Sequence, residues 1–295
     1  MMYPKVSILI ISYNQIDFIE EAIQGALSQD YPNLEIIISD DASTDGTAEV
    51  IERYRDLHPG LIKTSINKIN LGITGNSNCG LDLCTGDFIA FSYGDDILLP
   101  NKIALQIEWF LKDGQRVLCG HCVEVFGENK VIGLSPKRLR HGSGAFRMIV
   151  DGNLFSATSI MVRASAIPKH GFEPSIKYVT DYIMWIEVLQ NGGSYGFIDG
   201  VFARYRSHSN NITKKQHLVL EDVRKTLELL PVRYPHLKNA CQKAFVTQVI
   251  NPSIKNEFYK RNFKQAIILV LECLKRGPVN LLYVPKYVFY FIRGI

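Results

Sequence analysis

Residues 36–47 read Ile-Ile-Ile-Ser-Asp-Asp-Ala-Ser-Thr-Asp-Gly-Thr, and this run constrains the fold more than any other in the chain. Three β-branched residues in a row suit a buried, extended backbone. The strand then stops at two adjacent carboxylates and a Ser/Thr/Asp/Gly turn. A buried strand that carries acids to its carboxyl end fits an open α/β sheet, where ligands gather outside the carboxyl ends of the strands. A second apolar strand, residues 88–91, soon ends in Tyr93-Gly94-Asp95-Asp96. Two such endings in one domain point to a nucleotide and a divalent cation.

The segments around them alternate in type. Residues 5–12 (KVSILIIS) form a strand that Tyr13-Asn14 ends. Apolar residues at Phe18, Ile19, Ala22, Ile23, Ala26 and Leu27 give 17–29 one helix face. Residues 34–39 form the second strand, and Ser43 or Thr44 can cap a helix that faces inward through Ala48, Val50, Ile51 and Tyr54. A short strand over 62–66, a helix over 73–84 and the strand 88–91 complete a β-α-β-α-β-α-β series. That series is the pattern of a parallel sheet covered by helices. Further on, the pattern predicts a helix from near Pro100 to 112, a strand over 117–125, a hairpin around Gly127-Glu128-Asn129 and a helix over 181–190. From Thr213 the chain reads as helices separated by Pro231, Pro235, Pro252, Gly277-Pro278 and Pro285.

Charge divides the chain unevenly. Residues 1–100 hold 5 Lys/Arg against 15 Asp/Glu, net −10, whereas residues 213–295 hold 15 against 5, net +10. An acidic front half excludes nucleic acid there, because phosphate backbones need cations. The basic tail is matched to an anionic surface or is simply a solvated helical face. Residues 1–5 lead straight into a strand pattern, so no secretory leader is expected, and no run reaches the length of a membrane span. Cys119-Gly-His-Cys122 resembles a CxxC pair, but alternation along a strand puts the two thiols on opposite faces. With no second Cys/His pair, zinc is not expected, and free thiols imply a reducing, cytoplasmic setting.

Four sets of residues carry candidate chemistry. Asp40 and Asp41 can accept an N–H from a base, or cap the helix that follows. Asp95 and Asp96 can hold Mg²⁺ or Mn²⁺ against a diphosphate, or cap the helix after Pro100. Asp181 opens an amphipathic helix, where the dipole keeps a carboxylate ionised; an ionised carboxylate beside a pocket can act as a general base. In Tyr205-Arg206-Ser207-His208, Arg206 can pair with phosphate and His208 can ligate a metal.

The order of these motifs is more specific than any one of them. From Pro4 to about Thr213 the chain resembles the family 2 glycosyltransferases, which have the GT-A fold. The resemblance rests on residues 6–14, Asp40 to Thr47, Asn70-Leu71-Gly72, Asn78-Cys79-Gly80, Thr85 to Phe91, Gly94-Asp95-Asp96 to Pro100, Gly171-Phe172-Glu173, Thr180-Asp181-Tyr182 with Trp185, and Tyr205 to His208. It implies a Rossmann-like, mainly parallel sheet flanked by helices, with a C-terminal helical extension. Residues 1–100 would form the nucleotide-sugar half, 101–213 the acceptor half and 214–295 the extension.

The resemblance also implies roles. Asp41 is the base-contacting carboxylate, with Ser12, Tyr13 and Asn70 around the nucleoside. Asp95 and Asp96 are the ribose and metal positions, with His208 beside the metal or diphosphate. Asp181 is the catalytic base of an inverting transfer from a UDP-type nucleotide sugar to a saccharide or lipid-linked acceptor, in the assembly of a bacterial surface polysaccharide. Many relatives carry one more Asp two positions before Asp95, where this chain has Tyr93.

Two other readings remain at the sequence level. A nucleotidyltransferase would want a Gly-rich basic loop, which Ser12-Tyr13-Asn14-Gln15 does not supply. A non-catalytic module would not need every acid kept. The tail beyond 213 carries a stripe of Phe263, Ala266, Ile267, Val270, Leu271 and Leu274, and residues 279–295 mix aromatics with Lys286 and Arg293. Such a tail suits the inner face of a membrane, a packed helix pair or a homodimer contact.

Overall fold

The computed structural model describes residues 3–127, 130–136, 141–209 and 211–275. The expected alternation is present as β1 (Val6–Ser12), α1 (Ile19–Leu27), β2 (Leu34–Asp40), α2 (Thr47–Leu57), β3 (Ile62–Ile66), α3 (Gly72–Leu81) and β4 (Phe88–Tyr93). Then come β5 (Ile97–Leu98), α4 (Lys102–Leu111), β6 (Arg116–Gly127), β7 (Lys130–Ser135), β8 (Gly142–Ser143), α5 (Phe146–Asp151), β9 (Met161–Arg163), α6 (Thr180–Gln190) and β10 (Ser194–Arg206).

The main path of the sheet runs β3-β2-β1-β4-β9-β6-β10-β5. β1 to β4 pair in parallel and so do β6 and β10, while β9 lies antiparallel between β4 and β6. β6 and β7 form the expected hairpin, whose turn residues 128–129 lie outside the described set. Fold class is therefore as the sequence predicts: a mainly parallel sheet with helices on both faces.

Period-two alternation sorts the strands. Val6, Ile8 and Ile10 of β1 and Ile36 and Ile38 of β2 join Ile19 and Ile23 of α1, Ile51 of α2 and Ile103 and Phe110 of α4 in one core cluster. Each fully buried isoleucine contributes about 2 kcal/mol, so this layer outweighs the weak helix propensity of such residues. The opposite face packs α3 and α6. Gly80 lets α3 approach, since a Cβ there would stand 2.5 Å from the Leu9 side chain, and Trp185 of α6 meets Phe91 edge-on. Cys119 is buried in the first layer, and the half-buried Cys122 thiol donates to the Pro136 carbonyl.

The chain divides into two compact units, Met1–Ala145 with Asn153–Lys215, and Phe146–Gly152 with Gln216–Ile295. The second contains α5, α7 (Gln216–Arg233), α8 (Lys238–Ala244), a π-helical segment Phe245–Ile250, α9 (Asn251–Tyr259) and α10 (Phe263–Lys275). Pro231 and Pro252 do not separate helices as the sequence reading expects. Pro231 sits in the last turn of α7, with two helical residues after it. Pro252 follows the π turn, whose wider ring relieves the clash of a proline with the carbonyl four residues back. Among the described residues no helix is long and apolar enough to cross a membrane. α10 buries Ala266, Leu269 and Cys273, and leaves Ile267, Ile268 and Leu271 exposed. The aromatic stretch 279–295 lies outside the described residues.

Candidate active site

The chain steps outward from β1 to β3, then returns to β4 on the other side of β1. The crevice beyond β1 and β4 is thus the point where strand order reverses, the usual ligand position in such sheets. Register places Ser12 beside Asp40 and Ile11 beside Tyr93, so the two acid-bearing loops leave the sheet on either side of the β1 end.

The two neighbouring carboxylates of the first loop do different things. Asp40 is fully buried and turns the chain by accepting the Ser43 N–H at 2.9 Å and the Ser43 hydroxyl at 2.6 Å. Burial pushes its pKa up. Asp41 reaches the other way: Oδ1 accepts the Leu71 N–H at 2.7 Å and the Asn67 amide at 3.2 Å, and Oδ2 accepts the Gly72 N–H at 2.9 Å. Its own N–H donates to the Ser12 carbonyl. Asn70 donates to the Asp41 carbonyl at 3.3 Å. Ser12, Asp41 and Asn70 therefore form one edge of the crevice, with the exposed Tyr13 ring beside them. The Ser12 hydroxyl is buried with no partner among the described residues. The 12–16 loop is clipped to the 43–47 loop through Asn14, Gln15 and Ile16 N–H donors to Ser43, Thr47 and Asp45 side chains.

Asp95 and Asp96 follow β4. Asp96 is buried, and its Oδ1 accepts the Arg206 N–H at 3.0 Å. Burial, then the neighbouring Asp95 charge, push the Asp96 carboxyl well above the usual range. Asp95 Oδ2 accepts from the His208 ring at 2.8 Å and from the Asn211 amide at 3.4 Å. Gly94 leaves the space that the Gln15 side chain fills. Among the described residues no three His, Cys, Asp or Glu side chains converge as a metal-ready group. Two desolvated carboxylates side by side still fit a hard cation that takes its remaining ligands from a diphosphate and water.

Asp181 sits in the first turn of α6, partly exposed, and Oδ2 accepts the Asn153 amide at 2.9 Å. Burial among packed neighbours raises its pKa, against the lowering effect of Asn153 and of backbone N–H groups. The acids from separate elements meet around two tyrosines. Burial, then the Asp181, Asp96 and Asp95 charges, push the Tyr93 phenol well above its usual value. Burial and the same three carboxylates raise Tyr205, whose hydroxyl lies 3.1 Å from that of Thr213. Tyr93 thus remains a neutral donor in an acidic site.

All the candidate site residues of the sequence lie in the first unit, most of them tied to a partner described above. Asn67, Asn153 and Glu21, which hold Asp41, Asp181 and Arg206, were not foreseen. Each is a plain polar residue far along the chain from its partner, and no spacing rule marks it. Arg206 is not directed as expected: its guanidinium bonds Glu21 and the Asp95 carbonyl.

A reversal-point crevice edged by acids, with a further carboxylate on a helix N-terminus, fits a charged nucleotide held through a cation. The family model for glycosyl transferase family 2 matches residues 7–170, more than half of the chain, and the chain belongs to that family. The match includes Asp41, Asp95 and Asp96 and stops before Asp181. The chain is 30% identical over 236 residues to Escherichia coli WfaP, named a UDP-Glc:alpha-D-GlcNAc-diphosphoundecaprenol beta-1,3-glucosyltransferase, covering 78% of this chain and 88% of WfaP. S. aureus TarS 1-349 in complex with UDP-GlcNAc superposes with a TM-score of 0.68 at 17% identity, covering 90% of this chain and 79% of that one. Of a longer TarS chain, this chain spans 43%. The mannosyltransferase PcManGT from Pyrobaculum calidifontis, in complex with GDP-Man and Mn2+, gives a TM-score of 0.66 at 17% identity over 98% of this chain and 81% of that one. All three of these structural likenesses carry the GT-A fold alone.

Proposed function

We propose that this chain is an inverting glycosyltransferase that moves a sugar from a UDP-type donor to a hydroxyl of a lipid-linked saccharide, in surface polysaccharide assembly. The observation that carries this reading is the gathering of Asp95, Asp96 and Asp181 around Tyr93 and Tyr205, from elements far apart in the chain. The likeness to WfaP supports both the UDP-type donor and the lipid-linked acceptor.

Asp41 accepts the imide N–H of the base with the lone pair of Oδ2 that the Gly72 N–H leaves open. Tyr13 covers the base, and Ser12 and Asn70 line the nucleoside. Asp95 and Asp96 would hold Mn²⁺ or Mg²⁺, with His208 beside them. When bound, that ion neutralises the diphosphate as the leaving group gains charge. Asp181, held by Asn153, takes the proton of the acceptor hydroxyl. The oxygen attacks the anomeric carbon as the bond to the diphosphate breaks, so the configuration inverts in one displacement. Asp181→Asn is expected to lower transfer by roughly 10²–10⁴-fold with donor affinity kept. Transfer at the wild-type rate would remove Asp181 as the base.

For the second unit the reading is contact with an anionic lipid surface at the inner face of the membrane. Ile267, Ile268 and Leu271 point outward on α10, and Lys264 and Lys275 share that exposed side. Interleaved apolar and cationic side chains suit an interfacial helix, and the +10 balance of residues 213–295 suits acidic headgroups. Wild type should pellet with phosphatidylglycerol vesicles, and an Ile267→Ser/Leu271→Ser variant should not. Equal pelleting of the two would overturn this; a dimer that the double variant dissolves would assign the face to a second copy.

A further inference from the structure

The turn that carries Asp95 and Asp96 is tied to Ile11 through the Gly94 N–H and to His208 and Asn211 through the Asp95 carboxylate. It lies between β4 and β5, and β5 is only Ile97–Leu98. Two adjacent carboxylates repel each other, and in a dry setting the repulsion is larger. Something must hold them in place before any cation arrives.

Arg206 is built to do so. Its backbone N–H donates to Asp96 Oδ1 at 3.0 Å. Its Nε donates to the Asp95 carbonyl at 3.0 Å, and an Nη donates to Glu21 Oε2 at 2.6 Å. The guanidinium carbon lies 4.7 Å from the Phe18 ring centre and 4.5 Å from that of Phe126. Phe18 also packs on the His208 ring, which donates to Asp95. One side chain therefore ties the first turn of α1, the end of β6 and the acid turn together. Only 14% of it is exposed, so little of it is left for a ligand.

We infer that Arg206 is a positioning residue: anchored by Glu21 and the two phenylalanines, it holds the Asp95–Asp96 turn in its binding geometry and does not itself grip the diphosphate. The planar fork is essential here, since lysine keeps the charge but cannot make the Nε bond or lie flat on the rings. A direct phosphate contact makes the opposite demand, because lysine serves there as a point charge.

The functional half of this inference rests on the donor role proposed for Asp95 and Asp96. Two variants and two measurements separate the cases. Hydrogen exchange is followed in residues 93–98 of wild type, Glu21→Ala and Arg206→Lys, and UDP and GDP are titrated with Mn²⁺. Both variants are expected to exchange faster in 93–98 with the rest of the sheet unchanged. Nucleotide affinity should fall roughly tenfold in Arg206→Lys, the usual cost of losing a residue that orients metal ligands, and less in Glu21→Ala. Unchanged exchange would overturn the inference. So would unaltered or tighter nucleotide binding in Glu21→Ala, which would mean that the freed guanidinium meets the phosphates. Wild type that binds neither nucleotide would remove the donor role, and exchange alone would then decide whether Arg206 holds the turn.

Discussion

The two ends of the parallel sheet treat buried acids in opposite ways. At the amino end, Glu35 of β2 accepts from Ser7 at 2.6 Å, from the Thr85 N–H at 2.7 Å, and from Lys5 and Lys63 at 2.8 and 2.9 Å. Burial alone would raise its pKa, but these partners outweigh burial and hold the carboxyl well below the usual range. At the carboxyl end, Asp40, Asp96 and Asp181 are all raised, with burial the largest cause each time. Among the described residues no lysine is paired with them. Asp96 has the Asp95 carboxylate for a neighbour, and the N–H and charge of Arg206 offset burial only in part. Glu35 serves the fold with two lysines on its carboxylate, whereas at Asp96, in the proposed cation site, burial and a like charge outweigh the donors.

This contrast can be broken by experiment, and its largest expected effect is at the amino end. Glu35→Gln removes the charge that two lysines and a threonine face, and should cost about 3 kcal/mol of stability at pH 7. The lysines are half exposed and can return to water, which keeps the cost at the lower end for a broken buried pair. Because the folded pKa is depressed, the stabilisation is present above the unfolded value and is lost as pH falls. The difference between wild type and variant in urea should therefore shrink in acid. A loss below about 1 kcal/mol at neutral pH would place Glu35 with ordinary surface pairs.

The elements and their order were legible because the strands are near-continuous β-branched runs broken by Gly, Asn and Asp turns. The residues 62–66 coincide with β3 end to end. The places of the acids were legible too, since each lies at the end of a buried strand or in the first turn of a helix. What divides Asp40 from Asp41 was not, because the division is made by Ser43 on one side and the 67–72 loop on the other. Arg206 reads as a phosphate ligand until Glu21, 185 residues away, is seen to hold it. Pro252 reads as a stop because its neighbours' π geometry has no sequence signal.

A smaller effect of opposite sign is expected at the carboxyl end. The folded state raises the Asp96 pKa above its unfolded value, so it retains a proton in a pH window where the unfolded chain has lost its own. Stability attributable to Asp96 therefore falls as pH rises through that window, and at pH 7.5 the buried carboxyl works against folding. Asp96→Asn keeps an oxygen for the Arg206 N–H and removes the charge beside Asp95. With EDTA present it should gain about 1 kcal/mol in urea denaturation at pH 7.5, in the range of other substitutions that relieve a functional site. The gain should vanish below about pH 4, where an unfolded aspartate is also protonated. Metal-dependent nucleotide binding should weaken in the same variant. If Asp96→Asn instead unfolds more easily than wild type at pH 7.5, the acid is part of what holds the turn, and the two ends of the sheet are less different than their hydrogen bonds suggest.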